Sequence, residues 1–546
     1  MRTIALSLLS LVVLASCAPG SGGPASARAP KGPRPAGLAT SGASTKPSEG
    51  PDVLRGKGAY LPLFDALVAK VRRYHVFAEG QGAAFERSLD RLRSEAATAE
   101  TEAEAMVALT HLQKALGDRH CNLSPPSDVR PSRLGLGLAL HTEREASGRV
   151  RVRVEEVKDP ALEAKVRVGD ELVTVDGSPV EAWLTEHPFE TNALNPDARL
   201  SETAHAIVMQ IAPWTTVKEG DTRKLVFANA GELTLPFRRP FRYEREESLP
   251  GIDDSPAMSS IGCTQDGKVP YAGYELASLG VNYCTYRPKA ENRAAQGTRI
   301  VRFVSFMYPA RDSSAQLRWV RVDHDGLVRD LAGAKRVVLD VHENHGGNNP
   351  FVFLSWFAKR PWQHELVTVR VSADFAEDEA RQFLYGDGPL TKRYLEAAKR
   401  GDGWLTYPFL CTGEGCEGLR GPRPAERVTE APVGLVTGPE CTSSCDALSV
   451  IWAEYGMGPI VGKQPMHGFT SVRHEFPMRG PDGRVLGLFR LALSHEGFKG
   501  KPPLEGAPIR LDWQAPETFA TRESWLDASV AEVDKRLRAV SALSWR

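Results

Sequence analysis

Between Tyr60 and Leu116 the apolar residues fall at helical intervals in three successive runs. Leu63, Phe64, Leu67, Val68 and Val71 make the first, Phe85, Leu89 and Leu92 the second, and Met106, Leu109, Leu112 and Leu116 the third. Apolar positions three and four apart share one face of a helix, so the pattern predicts three amphipathic helices over 57–128. The last run ends at Gly117-Asp118-Arg119-His120-Cys121, where glycine suits a helix C-cap and leaves His120 just past the helix end. Beyond it the period drops to about 2 residues in Val150-Arg151-Val152-Arg153-Val154, the alternation of a half-buried strand.

The segment from 129 to 245 therefore reads as β-rich. Its Leu134-Gly135-Leu136-Gly137-Leu138 and Gly169-Asp170-Glu171-Leu172 segments resemble the carboxylate-binding loop and a following strand of a PDZ module, which binds peptide termini by strand addition. From 246 to 298 the periodicity fades, and an insertion or linker is predicted. A strand at Arg299–Phe306, helical material from Ala315 to Leu331 and the apolar run Val337–Val341 then give a βαβ unit, the start of an α/β core over 299–530. A loop-like stretch at about 370–431 interrupts this core.

Composition narrows the partners. The chain has 546 residues, of which 42% are hydrophobic, with 68 basic and 68 acidic side chains. That balance leaves no net field to recruit nucleic acid or an anionic membrane. At the N-terminus, Arg2 and the apolar stretch Ile4–Leu14 have the form of a signal-peptide core, too short to span a bilayer. It ends in Leu14-Ala15-Ser16-Cys17, similar to the bacterial lipobox, which implies lipidation of Cys17 in the bacterial cell envelope, on the periplasmic or outer-membrane face. Residues 18–56, rich in Pro, Gly, Ser and Ala, read as a disordered tether. Membrane contact is expected through the lipid alone. Of the other cysteines, Cys263 with Cys284, Cys411 with Cys416 and Cys441 with Cys445 are the local pairings to expect in an oxidising compartment, leaving Cys121 over. No zinc spacing is present, and neither a metal nor a cofactor is predicted.

The candidate chemistry centres on Cys441-Thr442-Ser443-Ser444-Cys445-Asp446. The strand-like Val433–Val436 leads to the turn Thr437-Gly438-Pro439, and a helical run follows. Ser-x-x-Asp is related to a capping box, so Ser443 sits at a helix N-terminus, either as a plain cap or as a nucleophile beside oxyanion-stabilising N–H groups. Ser444 is the alternative nucleophile.

Four segments in order resemble the tail-specific, or C-terminal processing, serine proteases, a family that includes the catalytic core of tricorn. They are Leu116-Gly117-Asp118-Arg119-His120, Leu339-Asp340-Val341-His342-Glu343-Asn344-His345-Gly346-Gly347, the serine turn, and Tyr455-Gly456 through Val461-Gly462. The resemblance implies a multidomain α/β protein: a helical N-terminal domain, a PDZ-like module and a ClpP/crotonase-like catalytic core. It also implies an endopeptidase acting on protein or peptide substrates through an acyl-enzyme. The lysine of the Ser-Lys branch has no counterpart, since Gly468 holds its position and Lys463 is out of register. The tricorn-like branch instead implies a triad of Ser443, His120 and Glu505, with Gly346, Gly347 and Ser444 at the oxyanion hole. Cys441, Cys445 and Arg119 depart from the family pattern. A catalytically inactive relative that binds peptides or other ligands in the envelope is the alternative.

Overall fold

The computed structural model describes residues 54–543, apart from 78–80, 127–130, 240–262, 265–267, 309–312, 374–388, 409–426, 470–472 and a few single or paired positions. The Cys17 lipobox and the Cys411–Cys416 pairing lie outside the described residues.

Three helices form as their periodicity predicts: α1 (Leu61–Tyr74), α2 (Gln81–Thr98) and α3 (Glu102–Lys114). Thr101 and Glu104 cap α3 reciprocally, and Gly117 takes a positive φ of 62° in the turn beyond its end. These helices do not close a core of their own. Phe64, Phe85, Leu92 and Leu109 share one apolar cluster with Val367, Tyr394, Met478, Phe489 and Leu491, residues more than 250 positions later. The short strand β1 (Asn122–Ser124) follows directly.

Residues 138–236 form a six-stranded antiparallel sheet with two helices, Val180–Glu186 and Pro196–Val208. Its apolar cluster includes Val152, Val154, Leu172 and Val175, in line with the alternation in the sequence.

A mixed seven-stranded sheet forms the centre of the molecule: β2 (Tyr274–Leu279), β3 (Tyr283–Pro288), β4 (Thr298–Phe303), β5 (Arg336–Asp340), β6 (Val433–Thr437), β7 (Ile460–Gly462) and β10 (Trp513–Gln514), adjacent in that order. The strands from β4 onward are parallel. Parallel neighbours need crossovers, supplied by α4 (Ser313–Asp330) between β4 and β5 and by α5 (Ser444–Glu454) between β6 and β7. Alternate residues serve opposite faces. Val337, Leu339, Val433 and Leu435 pack with α5, whereas Val338 and Val436 pack with α6 (Trp525–Leu543).

Two expectations change here. The stretch read as a linker supplies β2 and β3, tied to one another by the Cys263–Cys284 disulfide just ahead of and within them. These two strands are short, and Ser278 and Pro288 within them hide them from a composition reading. The interruption near 370–431 likewise carries a helix, Pro389–Arg400, and a strand, Trp404–Pro408, that pairs with Leu366–Arg370.

The hairpin of β8 (Arg473–Arg479) and β9 (Val485–Ala492) completes the architecture. β1 pairs antiparallel with β9, Leu123 opposite Phe489, which moors the chain two residues after His120 to the second half of the protein.

Candidate active site

β6 delivers the chain to the serine turn at the C-terminal end of the parallel strands, where open α/β sheets hold their ligands. Ser443 ends this turn with φ 59° and ψ −119°, immediately before α5. Among the described residues only Asp176, Ser443 and His467 combine a side chain with positive φ, and two of the three belong to this site. Such strain persists only where the surroundings over-determine it.

Those surroundings are specific. The Cys441–Cys445 disulfide closes across Ser443. The Ser443 N–H donates to Asp446 Oδ2 at 2.8 Å, and Asp446 also accepts the N–H groups of His467 (2.9 Å) and Gly468 (3.2 Å). Burial pushes the Asp446 carboxyl up to about 8 against the pull of these three bonds. Asp446 thereby couples the serine turn to the 467–469 segment, where burial also lowers His467 to about 4.

The Ser443 hydroxyl meets a base. His120 Nε2 lies 3.3 Å from Ser443 Oγ, although the two residues are 323 positions apart. The histidine turn is held on several sides. Asp118 accepts the His120 N–H at 2.8 Å, Gln113 Nε2 donates to the Cys121 carbonyl at 2.5 Å, and Asn192 Nδ2 donates to the Asp118 carbonyl at 2.7 Å. Arg119, the departure from the family pattern, forms an ion pair with Glu202 and donates to Asn192 Oδ1 at 3.1 Å, anchoring the turn to helix Pro196–Val208.

Glu505 is fully enclosed in the same wall. Its Oε2 accepts the Phe469 N–H at 2.5 Å, next to Gly468, where an added Cβ would lie 3.5 Å from His120 Cε1. Its Oε1 is buried and has no hydrogen-bond partner among the described residues. Burial, reinforced by the negative charge of Asp118, holds the Glu505 carboxyl well above the usual carboxylate range. The structure therefore brings Ser443 and His120 into hydrogen-bond reach, and it sets Glu505 beside them with its one bond directed elsewhere.

The glycine pair behaves unequally. The Gly346 N–H donates to Asn344 Oδ1 at 2.8 Å, so it is committed. Gly346 has φ 86°, and a Cβ there would stand 2.6 Å from Thr442 O and 3.0 Å from Ser443 Cβ, so only glycine lets this loop touch the serine turn. The N–H groups of Gly347 and Ser444 have no acceptor among the described residues. Ser444 Oγ instead donates to the Gly347 carbonyl at 2.5 Å, which turns this hydroxyl away from His120.

His342 and His345 are occupied by carboxylates. His342 Nδ1 lies 2.7 Å from Asp340 Oδ1 and its Nε2 3.3 Å from Glu343, and although burial opposes it, the two carboxylates raise the imidazole to about 9. His345 is exposed, 3.6 Å from Glu440. Sequence reasoning singled out neither Asp118 nor His75. Asp118 had a signal in its place two residues before the base, but His75 is a lone histidine at the end of α1 with none.

No family model matches the sequence, and the comparison with curated proteins yields no match. Solved structures do match. Mature CPAF is 15% identical, with 89% of this chain and 98% of that chain covered at a TM-score of 0.61, and CPAF complexed with lactacystin matches equally. The photosystem II D1 C-terminal processing protease is 14% identical over 87% of this chain and 98% of its own, at a TM-score of 0.37, too low for an argument. The likeness to CPAF runs through almost the whole of both chains, and this protein shares that mixed α/β multidomain fold.

Proposed function

We propose that the protein is an exported, lipid-anchored serine endopeptidase of the tail-specific protease family, acting on protein or peptide substrates. The observation that carries this reading is the 3.3 Å approach of His120 Nε2 to a strained Ser443 Oγ. Capping alone requires neither the positive φ nor a histidine brought from the other end of the chain. The four sequence segments in family order, and the fold shared with CPAF, support the same reading.

In the proposed reaction His120 takes the hydroxyl proton as Ser443 Oγ attacks the scissile carbonyl carbon. The oxyanion that forms is received by the free N–H groups of Gly347 and Ser444, while Gly346 permits the close approach of the loop. Collapse expels the amine, which takes the proton from His120 and leaves an acyl-enzyme. Water, deprotonated by the same imidazole, then releases the acid. Glu505 is the third member proposed from the sequence. The β-rich unit at 129–245, read as PDZ-like, is the proposed capture surface for substrate termini.

Fluorophosphonate labelling of the full-length protein, followed by peptide mapping, tests the proposal. Adduct on Ser443 that disappears in His120→Ala is the expected result, and both Ser443→Ala and His120→Ala are expected to lower kcat by about 10⁴-fold or more. Folded protein that takes no adduct would replace this reading with that of an inactive, ligand-binding relative.

A further inference from the structure

A serine hydrolase needs a negative charge near its base, to favour the imidazolium that forms when the hydroxyl proton moves. Two buried carboxyls, Asp118 and Glu505, lie at or near the histidine turn, and their contacts differ. Asp118 Oδ1 accepts the N–H groups of His120 (2.8 Å) and Cys121 (3.3 Å), and its Oδ2 meets His75 Nε2 at 3.2 Å. A carboxylate accepts only, so Nε2 carries the proton in this pair. The two side chains are 0% and 1% exposed, and the bond joins the end of α1 to the histidine turn. Glu505 has a single bond, from the Phe469 N–H, and one oxygen buried without a partner among the described residues. An ionised carboxylate in that setting carries the desolvation cost of an orphaned acceptor, which the neutral acid largely avoids.

We propose that Asp118, rather than Glu505, is the carboxylate whose charge favours the His120 imidazolium, and that His75 is a positioning residue that holds Asp118 in place. This rests on the Ser443–His120 reading above and assigns a role that the sequence resemblance gave to Glu505. The electrostatics agree. Burial alone would raise Asp118, but the bond from His75 and the charges of His75 and His120 outweigh it and bring the carboxyl down to about 2. The same negative charge adds to burial in keeping Glu505 protonated. Of the other groups around the base, the Cys121 thiol is pushed up by burial and by Asp118, Asp446 is raised by burial, and Arg119 is neutralised by Glu202.

The test is the pH dependence of the rate at which a fluorophosphonate–rhodamine probe labels the full-length protein. Labelling forms the Oγ–P bond, expels fluoride and passes the hydroxyl proton to His120, so its acid limb reports the imidazole of the free enzyme. Removing a nearby negative charge makes the imidazolium harder to form. Asp118→Asn is therefore expected to shift the acid limb to lower pH by about one unit or more, and to slow labelling by about a hundredfold. Glu505→Gln is expected to leave the position of the limb in place, whatever its rate. A limb unmoved in Asp118→Asn, or lowered in Glu505→Gln, overturns the proposal. Should Asp118→Asn fail to fold by circular dichroism, the Glu505→Gln limb still decides the identity of the charge. His75 is tested by rescue: His75→Gln keeps a donor for Asp118 and is expected to label about tenfold faster than His75→Leu, whereas equal rates remove His75 from the scheme. Failure of the underlying protease reading is a separate result, in which Ser443→Ala labels as fast as the parent.

Discussion

Ser443 is fixed within six residues of chain: the Cys441–Cys445 bridge closes across it, and Asp446 takes its N–H. His120 shares one local device, its N–H taken by Asp118 two residues back, but no bridge closes across its turn. Its turn is held by β9 through β1, by Glu202 through Arg119, and by His75 through Asp118, partners 43 to 368 positions away. The serine turn is thus braced mainly by a bridge within it, with Asp446 joining it to 467–469, whereas the histidine turn leans on partners far along the chain. Distant mutations are expected to reach the base much more readily than the nucleophile.

The sharpest way to break this asymmetry is Gly487→Ala. A Cβ at Gly487 would stand 2.5 Å from the backbone oxygen of Ser124, in the pairing that moors the histidine turn, and backbone does not yield cheaply. Displacing His120 by about 1 Å is expected to lower kcat/KM about a hundredfold. The Cys441–Cys445 bridge should remain resistant to the same treatment, as judged by thiol titration of the unfolded variant.

A smaller effect is expected on the nucleophile side. The Cys441→Ala/Cys445→Ala double variant loses a disulfide that closes a loop of sequence separation 4, worth about 2 kcal/mol in a chain-entropy account. Denaturant unfolding measures that loss. Labelling at Ser443 should fall by less than about tenfold, because Asp446 continues to hold the turn. A loss as large as that of Gly487→Ala would mean the bridge, not the carboxyl, sets the geometry.

The smallest change in stability comes from Arg119→Ala. It frees one of three anchors of the base and is expected to cost about tenfold in kcat/KM, with stability nearly unaltered. Glu202→Gln should produce a similar loss, and the double variant little more than either alone, as for two ends of one ion pair.

The same contrast governs what the sequence revealed. Helix periodicity from Leu63 to Leu116, the alternation at Val150–Val154 and the serine turn all rest on neighbours in the chain, and each appears in the structure where it was predicted. Ser443 and His120 were legible because each sits at a recognisable helix end. What pattern reading missed depends on distance. The strands Tyr274–Leu279 and Tyr283–Pro288 are short and polar in part, and they become strands only beside Thr298–Phe303. The shared core of α1 to α3 with Phe489 and Leu491 left no mark, since an apolar stripe states that a face is buried and not against what. Likewise the family resemblance pointed to Glu505, but its bond to the Phe469 N–H and an oxygen without a partner among the described residues are features of a packed interior.

The helices ahead of His120 are made long before the serine turn, yet the two meet only when Phe64, Phe85 and Leu109 close against Phe489 and Leu491. On the proposed chemistry, a chain still emerging from synthesis holds a serine with no proton acceptor. Activity would then arise only in molecules that have finished folding, so the shared core ties the proposed chemistry to completion of the fold.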